Sequence, residues 1–320
     1  MSPRSLSRRQ VLASGLALPA LAALHACRSE SAPREPALVT RRPREVTTRI
    51  DAQPTIEGAG VHLRRSLGSS LLPLLDPFLM LDEFHSDRPE DYLKGFPSHP
   101  HRGFETVTYM LEGAMEHRDS LGNHGRLVAG STQWMTAGRG IIHSEMPQQE
   151  RGLMWGFQLW VNLPAARKMT APRYQDLAPE RITEVATNDG ALVRVVAGES
   201  SGKRGPVEGI VTAPQMMDVK LAKGGRFEQP VPLAHNAFAY VVEGALVVGD
   251  KEVRVTPGQL AVLSSGDLVS MTADEPARFL LLSAQPIGEP VRRHGPFVMN
   301  TDEELQQAVD DYRSGRLVSG

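Results

Sequence analysis

Two five-residue words spell the same turn twice. Tyr109-Met110-Leu111-Glu112-Gly113 and Tyr240-Val241-Val242-Glu243-Gly244 each end an apolar run at a Glu-Gly turn. Each is followed by two glycines eight residues apart, Gly130 and Gly138 in the first case, Gly258 and Gly266 in the second. A pattern that recurs at this spacing predicts two copies of one structural unit in a chain of 320 residues. The apolar runs between the breaks are short: Thr106–Leu111, Met154–Val161, Leu192–Ala197, Ala237–Val242, Leu260–Leu263 and Arg278–Ser283. Gly, Pro, Asp and Asn separate them. Such runs are strands of a sandwich or barrel rather than helices. The expected architecture is therefore all-β, a duplicated barrel, with one half over residues 47–180 and the other over 181–320.

The C-terminal end breaks the pattern. Thr301 with Glu304 three residues on is a capping box, and Leu305, Ala308, Val309 and Tyr312 follow at helical spacing before Gly315. A short terminal helix that packs on the barrels is expected there.

The N-terminal end is a targeting segment. Ser7-Arg8-Arg9-Gln10-Val11-Leu12 is a twin-arginine signature. The Ala/Leu-rich stretch from Val11 to Leu24 is broken by Gly15 and Pro19 and is too short to span a bilayer. Leu24-His25-Ala26-Cys27 resembles a lipobox, although His25 is unusual at its position. Cys27 is the only cysteine, so no internal disulfide forms. Residues 1–27 are thus expected to direct export, Cys27 to carry a lipid that anchors the protein to a membrane, and the Arg/Pro/Ser/Glu-rich residues 28–46 to act as a tether. The expected location is the periplasm. An N-terminus found intact in cells would overturn this. A formal net charge of −2 provides no footprint for nucleic acid or an anionic membrane.

The chemistry concentrates in His99-Pro100-His101 and His143-Ser144-Glu145. On a strand, residues i and i+2 share a face, so each piece offers two donors on one side. Three neutral imidazoles and one carboxylate meeting at a point make a mononuclear site for a divalent first-row transition metal, with positions left open. Spacing does not choose among Fe, Mn, Co, Ni, Cu and Zn. The repeat makes a sharper point. Aligned on the shared glycines, His99 and His101 fall on Pro230 and Pro232, and His143 and Glu145 fall on Met271 and Ala273. Only the first half is expected to bind metal, and His235 of the second half is expected to be structural or exposed. Gly138 and Gly140 are expected to form the tight turn that delivers His143. Arg102 and Arg139 are expected to pair with Glu112 or Glu116, or to meet a substrate anion. His117 and His124 are expected to be exposed. Trp134, Trp155, Phe157 and Trp160 are expected mainly in the barrel core, with some lining an apolar pocket.

The segment His99-Pro-His-Arg-Gly-Phe-Glu-Thr-Val-Thr-Tyr-Met-Leu-Glu-Gly113 resembles the first motif of the cupin superfamily, and Trp134-Met-Thr-Ala-Gly-Arg-Gly-Ile-Ile-His-Ser-Glu-Met-Pro147 resembles the second. With Gln158-Leu-Trp-Val-Asn-Leu163 and His294-Gly-Pro-Phe-Val-Met-Asn300, they resemble the pirin family over about residues 46–315. The resemblance implies a bicupin, two jelly-roll-like double-stranded β-helix barrels, with one metal, usually iron(II), on His99, His101, His143 and Glu145. Many cupins place the carboxylate shortly after the second histidine. There Glu105 is the rival to Glu145, or a partner that orients a ligand imidazole. Some pirins are quercetin 2,3-dioxygenases, which implies a flavonol-like substrate, O2, release of carbon monoxide, and Glu145 as the carboxylate that takes the substrate's hydroxyl proton. Other pirins are regulators without settled catalysis, so a non-catalytic binding or redox-sensing role in the cell envelope is the alternative. A different cupin reaction is a third. A monomer that does not bind nucleic acid is expected.

Overall fold

The computed structural model describes residues 41–319. The twin-arginine signature, Cys27 and most of the 28–46 tether lie outside the described residues. No helix among the described residues is long and apolar enough to cross a membrane.

The six expected strands lie within observed ones, such as Phe104–Glu112, Met154–Asn162 and Asn236–Glu243. Phe104–Glu112 shows why they form. Its odd positions Val107, Tyr109 and Leu111 enter the largest apolar cluster, while Phe104 and Met110 enter others on the opposite side. Both faces are covered, so the run is apolar or small-polar throughout and shows little alternation in polarity.

Each half has a seven-stranded antiparallel sheet and a four-stranded one. In the first half, Phe84, Met110 and Met154 of the large sheet meet Met115 and Leu127 of the small one. In the second half, Met217 and Phe279 meet Phe227, Leu246 and Met271. This is the expected bicupin.

The division drawn at residues 47 and 181 is crossed at both ends of the described chain. The strand Val46–Asp51 does not join the first barrel; it pairs with Gln259–Leu263 at the edge of the second barrel's large sheet. The C-terminal tail does the reverse. Phe297 bridges to Arg102, and the helix Asp302–Arg313, capped by Thr301 and Glu304 as expected, packs Leu305 and Ala308 with Phe297, Met299 and Leu317 against Ile142 of the first barrel. Lys168 pins this tail. Its buried ammonium donates to Gly103 O at 2.7 Å, Asn162 Oδ1 at 2.7 Å and Val298 O at 3.0 Å, one acceptor for each N–H. Burial pushes its pKa down to about 8.

The repeated tyrosines hold the barrels together. Tyr109 of the first word donates to Asp218 of the second barrel at 2.6 Å, and Tyr240 of the second word donates to Glu83 of the first barrel at 2.6 Å. Asp218 and Glu83 sit on corresponding strands, two places from the tyrosine strand in each large sheet. The contact is self-complementary, as an interface between copies related by a two-fold must be.

Candidate metal centre

The ligand strands are neighbours in the first barrel's small sheet, where Ile141–Pro147 pairs with Phe96–His101 and sets His143 opposite His99. The turn before His143 requires glycine. Gly138 has φ 53° and Gly140 has φ 146°, and a Cβ at either would lie 2.2 Å from Thr170 O or 2.5 Å from Leu317 O.

His99, His101 and His143 bring one ring nitrogen each to within 4.8 Å of the others, the one such gathering of His, Cys, Asp and Glu donors among the described residues. The hydrogen bonds assign the tautomers. His99 Nδ1 lies 2.8 Å from Pro97 O and His101 Nδ1 lies 3.4 Å from Pro296 O. A carbonyl can only accept, so each Nδ1 carries the proton and each Nε2 is bare. The two Nε2 atoms nevertheless face each other at 3.1 Å.

His143 reaches the same state through a longer chain. Burial opposes ionisation of Asp119, yet hydrogen bonds from Asn123 and Tyr174 hold its carboxyl below the ordinary value. Tyr174 therefore donates to Asp119, and His117 Nε2 donates to the Tyr174 hydroxyl at 3.1 Å. His117 Nδ1 is left bare, and it accepts from His143 Nδ1 at 3.4 Å. His143 Nε2 is buried with no partner. Burial first, then the neighbouring imidazoles, hold His101 and His143 well below the ordinary histidine pKa. Lone pairs converging in a buried site without a donor repel one another unless a cation sits among them. The residues present fit a metal ion.

His117 is thus buried and engaged with a ligand, not exposed as expected; only its neighbour His124 is exposed, against Glu116. Replacing His117 with phenylalanine would leave the His143 Nδ1–H unpaired and its ring orientation unset. We expect metal affinity to fall about 10–100-fold, read by competition with a chelator.

Glu145 is buried beside the triad's strands. Thr108 Oγ1 donates to its Oε1 at 2.9 Å and Gln158 Nε2 to its Oε2 at 2.8 Å. Gln158 Oε1 accepts from Trp160 Nε1 at 3.2 Å, and since an indole only donates, the amide must turn its nitrogen to Glu145. Each carboxylate oxygen keeps a lone pair for another partner. Glu145 is not among the three residues whose donor atoms share the 4.8 Å cluster. Glu105, the rival, is on the wrong face. It follows Phe104 on the strand and bonds Thr136 at 2.6 Å on the opposite side of the sheet from Thr108, so it neither ligates nor orients a ligand. Burial raises its pKa.

Arg102 pairs with neither Glu112 nor Glu116. It donates to Asp311 at 2.8 Å and to Arg139 O, tying the terminal helix to the ligand strand. Trp134, Trp155 and Phe157 are buried as expected, but in the cluster shared between the barrels rather than inside one, and only Trp160 of the four lines the pocket. That cavity, about 520 Å³, reaches His99, His101 and Gln158 between apolar walls that include Leu63, Met80, Phe84 and Phe96. Its size suits a small organic ligand. Thr108, Gln158, Gly295 and Pro296 lie in the words quoted above but carried no role there, and Arg293 lies outside them.

Among the described residues of the second barrel no such donor cluster forms. Met271 and Ala273 are core residues of its apolar cluster, and His235 is buried with Nδ1 3.3 Å from Ser283 Oγ.

The family description "Pirin" matches residues 60–161, and "Pirin C-terminal cupin domain" matches residues 216–318. The chain belongs to the pirin family. A pirin-like protein of Caulobacter vibrioides is 50% identical over 275 residues, covering 86% of this chain and 99% of its own. Among solved structures, a quercetin 2,3-dioxygenase from Acinetobacter baumannii superposes with a TM-score of 0.80 at 36% identity, covering 87% of this pirin and 99% of that chain. An Escherichia coli pirin solved in complex with nickel(II) shares the fold, with a TM-score of 0.60 at 21% identity over 75% of this pirin and 98% of that chain.

Proposed function

We propose that this pirin is a metal-dependent oxygenase that cleaves flavonol-like substrates with O2, in the manner of a quercetin 2,3-dioxygenase. One observation carries the reading: three imidazoles converge at the wall of an apolar cavity of ligand size. The similarity to the Acinetobacter protein of that name supports it.

In this reading His99, His101 and His143 hold the ion through Nε2, and Glu145 is the fourth ligand. The ion, iron(II) on this account, would supply Lewis-acid and O2 chemistry at the pocket wall. The chain's own residues do the rest. Thr108 and Gln158 fix the Glu145 carboxylate, whose spare lone pairs take the proton of the substrate's 3-hydroxyl. Trp160 and the apolar walls take the flat rings and exclude water. The leader in the sequence supports action outside the cytoplasm, at a membrane surface.

The test is oxygen uptake by the iron(II)-loaded full chain, prepared without air, with and without quercetin. We expect quercetin-dependent uptake that disappears in His101→Ala. No uptake from protein shown to contain iron would overturn the reading in favour of a binding or redox-sensing role.

A further inference from the structure

The pocket holds a cation that the chemistry above does not use. Arg293 enters from the C-terminal tail, beside Gly295 and Pro296, and lines the same cavity as His99, His101 and Trp160. Its guanidinium lies over the Trp160 ring, 4.6 Å from the centroid. Attraction to the ring face holds the guanidinium beside Trp160.

No carboxylate among the described residues takes that fork. Arg293 Nε donates to Gly295 O at 3.3 Å, and one terminal nitrogen lies 3.9 Å from Met80 Sδ. The acids of the pocket wall are held by another arginine. Arg65 donates twice to Asp82, at 2.7 Å each, and once to Glu57 at 2.8 Å. Asp82 and Glu57 thus give their hydrogen bonds to Arg65 and act on Arg293 only through space. The remaining walls between Arg293 and the imidazoles are mostly apolar, formed by Met80, Trp160 and their neighbours. A guanidinium fork that no carboxylate hydrogen-bonds is free to take two oxygens of an acid.

Resting on the metal-site reading above, we infer that beyond neutral flavonols this pocket takes aromatic acids, a ring with metal-binding oxygens and a carboxylate, and that Arg293 clamps the carboxylate. Arg293 is then the residue that sets specificity between anionic and neutral aromatic compounds.

The experiment compares two probes that differ only in that group. The full chain loaded with nickel(II) is titrated by calorimetry with 3,4-dihydroxybenzoate and with catechol. We expect the acid to bind about tenfold tighter or more than catechol. Arg293→Gln is expected to abolish the difference without changing the affinity for catechol, and Arg293→Lys to restore part of it. Arg293 is exposed at the pocket mouth, and unchanged thermal unfolding would confirm that the variants are folded. Equal affinities in the parent protein would overturn the inference, as would no binding of the acid, or a variant that weakens both probes alike. The readout is separate from turnover. If no flavonol drives oxygen uptake but the affinity ratio holds, the oxygenase reading falls and the clamp stands; uptake with no such ratio is the reverse.

Discussion

Alanine in place of His143 is expected to yield protein that folds but retains no metal under conditions in which the parent chain is loaded. The three Nε2 atoms form the one donor cluster among the described residues, and His143 contributes the one that is buried without any partner. Losing a supporting hydrogen bond to a ligand costs about 10–100-fold in metal affinity, and losing the ligand itself should cost more. Elemental analysis after dialysis against a weak chelator reads the outcome. Folding should survive. Metal-free, the parent site holds lone pairs that repel, His99 against His101 at 3.1 Å, and deleting His143 adds no buried charge. A variant that still binds one ion with parental affinity would show that the triad is not the site, and the oxygenase proposal would fall with it.

Asp218→Ala is expected to cause the largest loss of stability among substitutions between the barrels. Asp218 is 1% exposed and accepts from Tyr109 at 2.6 Å and from Arg278 at 3.0 and 2.7 Å. The Arg278 side chain is itself only 14% exposed. Removing the carboxylate leaves a largely buried guanidinium and a buried hydroxyl without their partner, a loss of about 3–5 kcal/mol. Tyr109→Phe removes the hydroxyl's two bonds, to Asp218 and from Arg194 at 3.0 Å, and leaves the ion pair, so it should cost less, about 1.5–3 kcal/mol. Urea unfolding followed by tryptophan fluorescence separates the two. Equal losses would mean that the ion pair contributes nothing beyond the tyrosine contact.

The sequence carried the strands and the ligands because both are local and periodic. A run such as Thr106–Leu111 is bounded by turn residues whatever packs on it, and His-x-His puts two imidazoles on one face of any strand. The same parity separates Glu105 from Thr106 and Thr108, so the carboxylate rival was decidable from the strand once its first residue was known. The repeat likewise pointed to one half for the donor cluster, since prolines, Met271 and Ala273 stand in the other where the candidate ligands would be. The functional words near Gln158 and His294 were visible, but not what each residue in them touches.

What only the tertiary structure decided lies between segments far apart in the chain. His101 meets Pro296 across 195 positions, and Tyr109 meets Asp218 across 109. The exchange of ends, which sends Val46–Asp51 to the second barrel and the terminal helix to the first, has no local signature. It also brings Arg293 over Trp160 and into the pocket. His117 shows the difference within a single residue. Its strand position was legible, but its burial depends on Tyr174, which comes from the large sheet that faces its own small sheet. Periodicity states which face a side chain takes. What covers that face is set by the docking of whole sheets, in which the energy is spread over many apolar contacts and no single residue announces the partner.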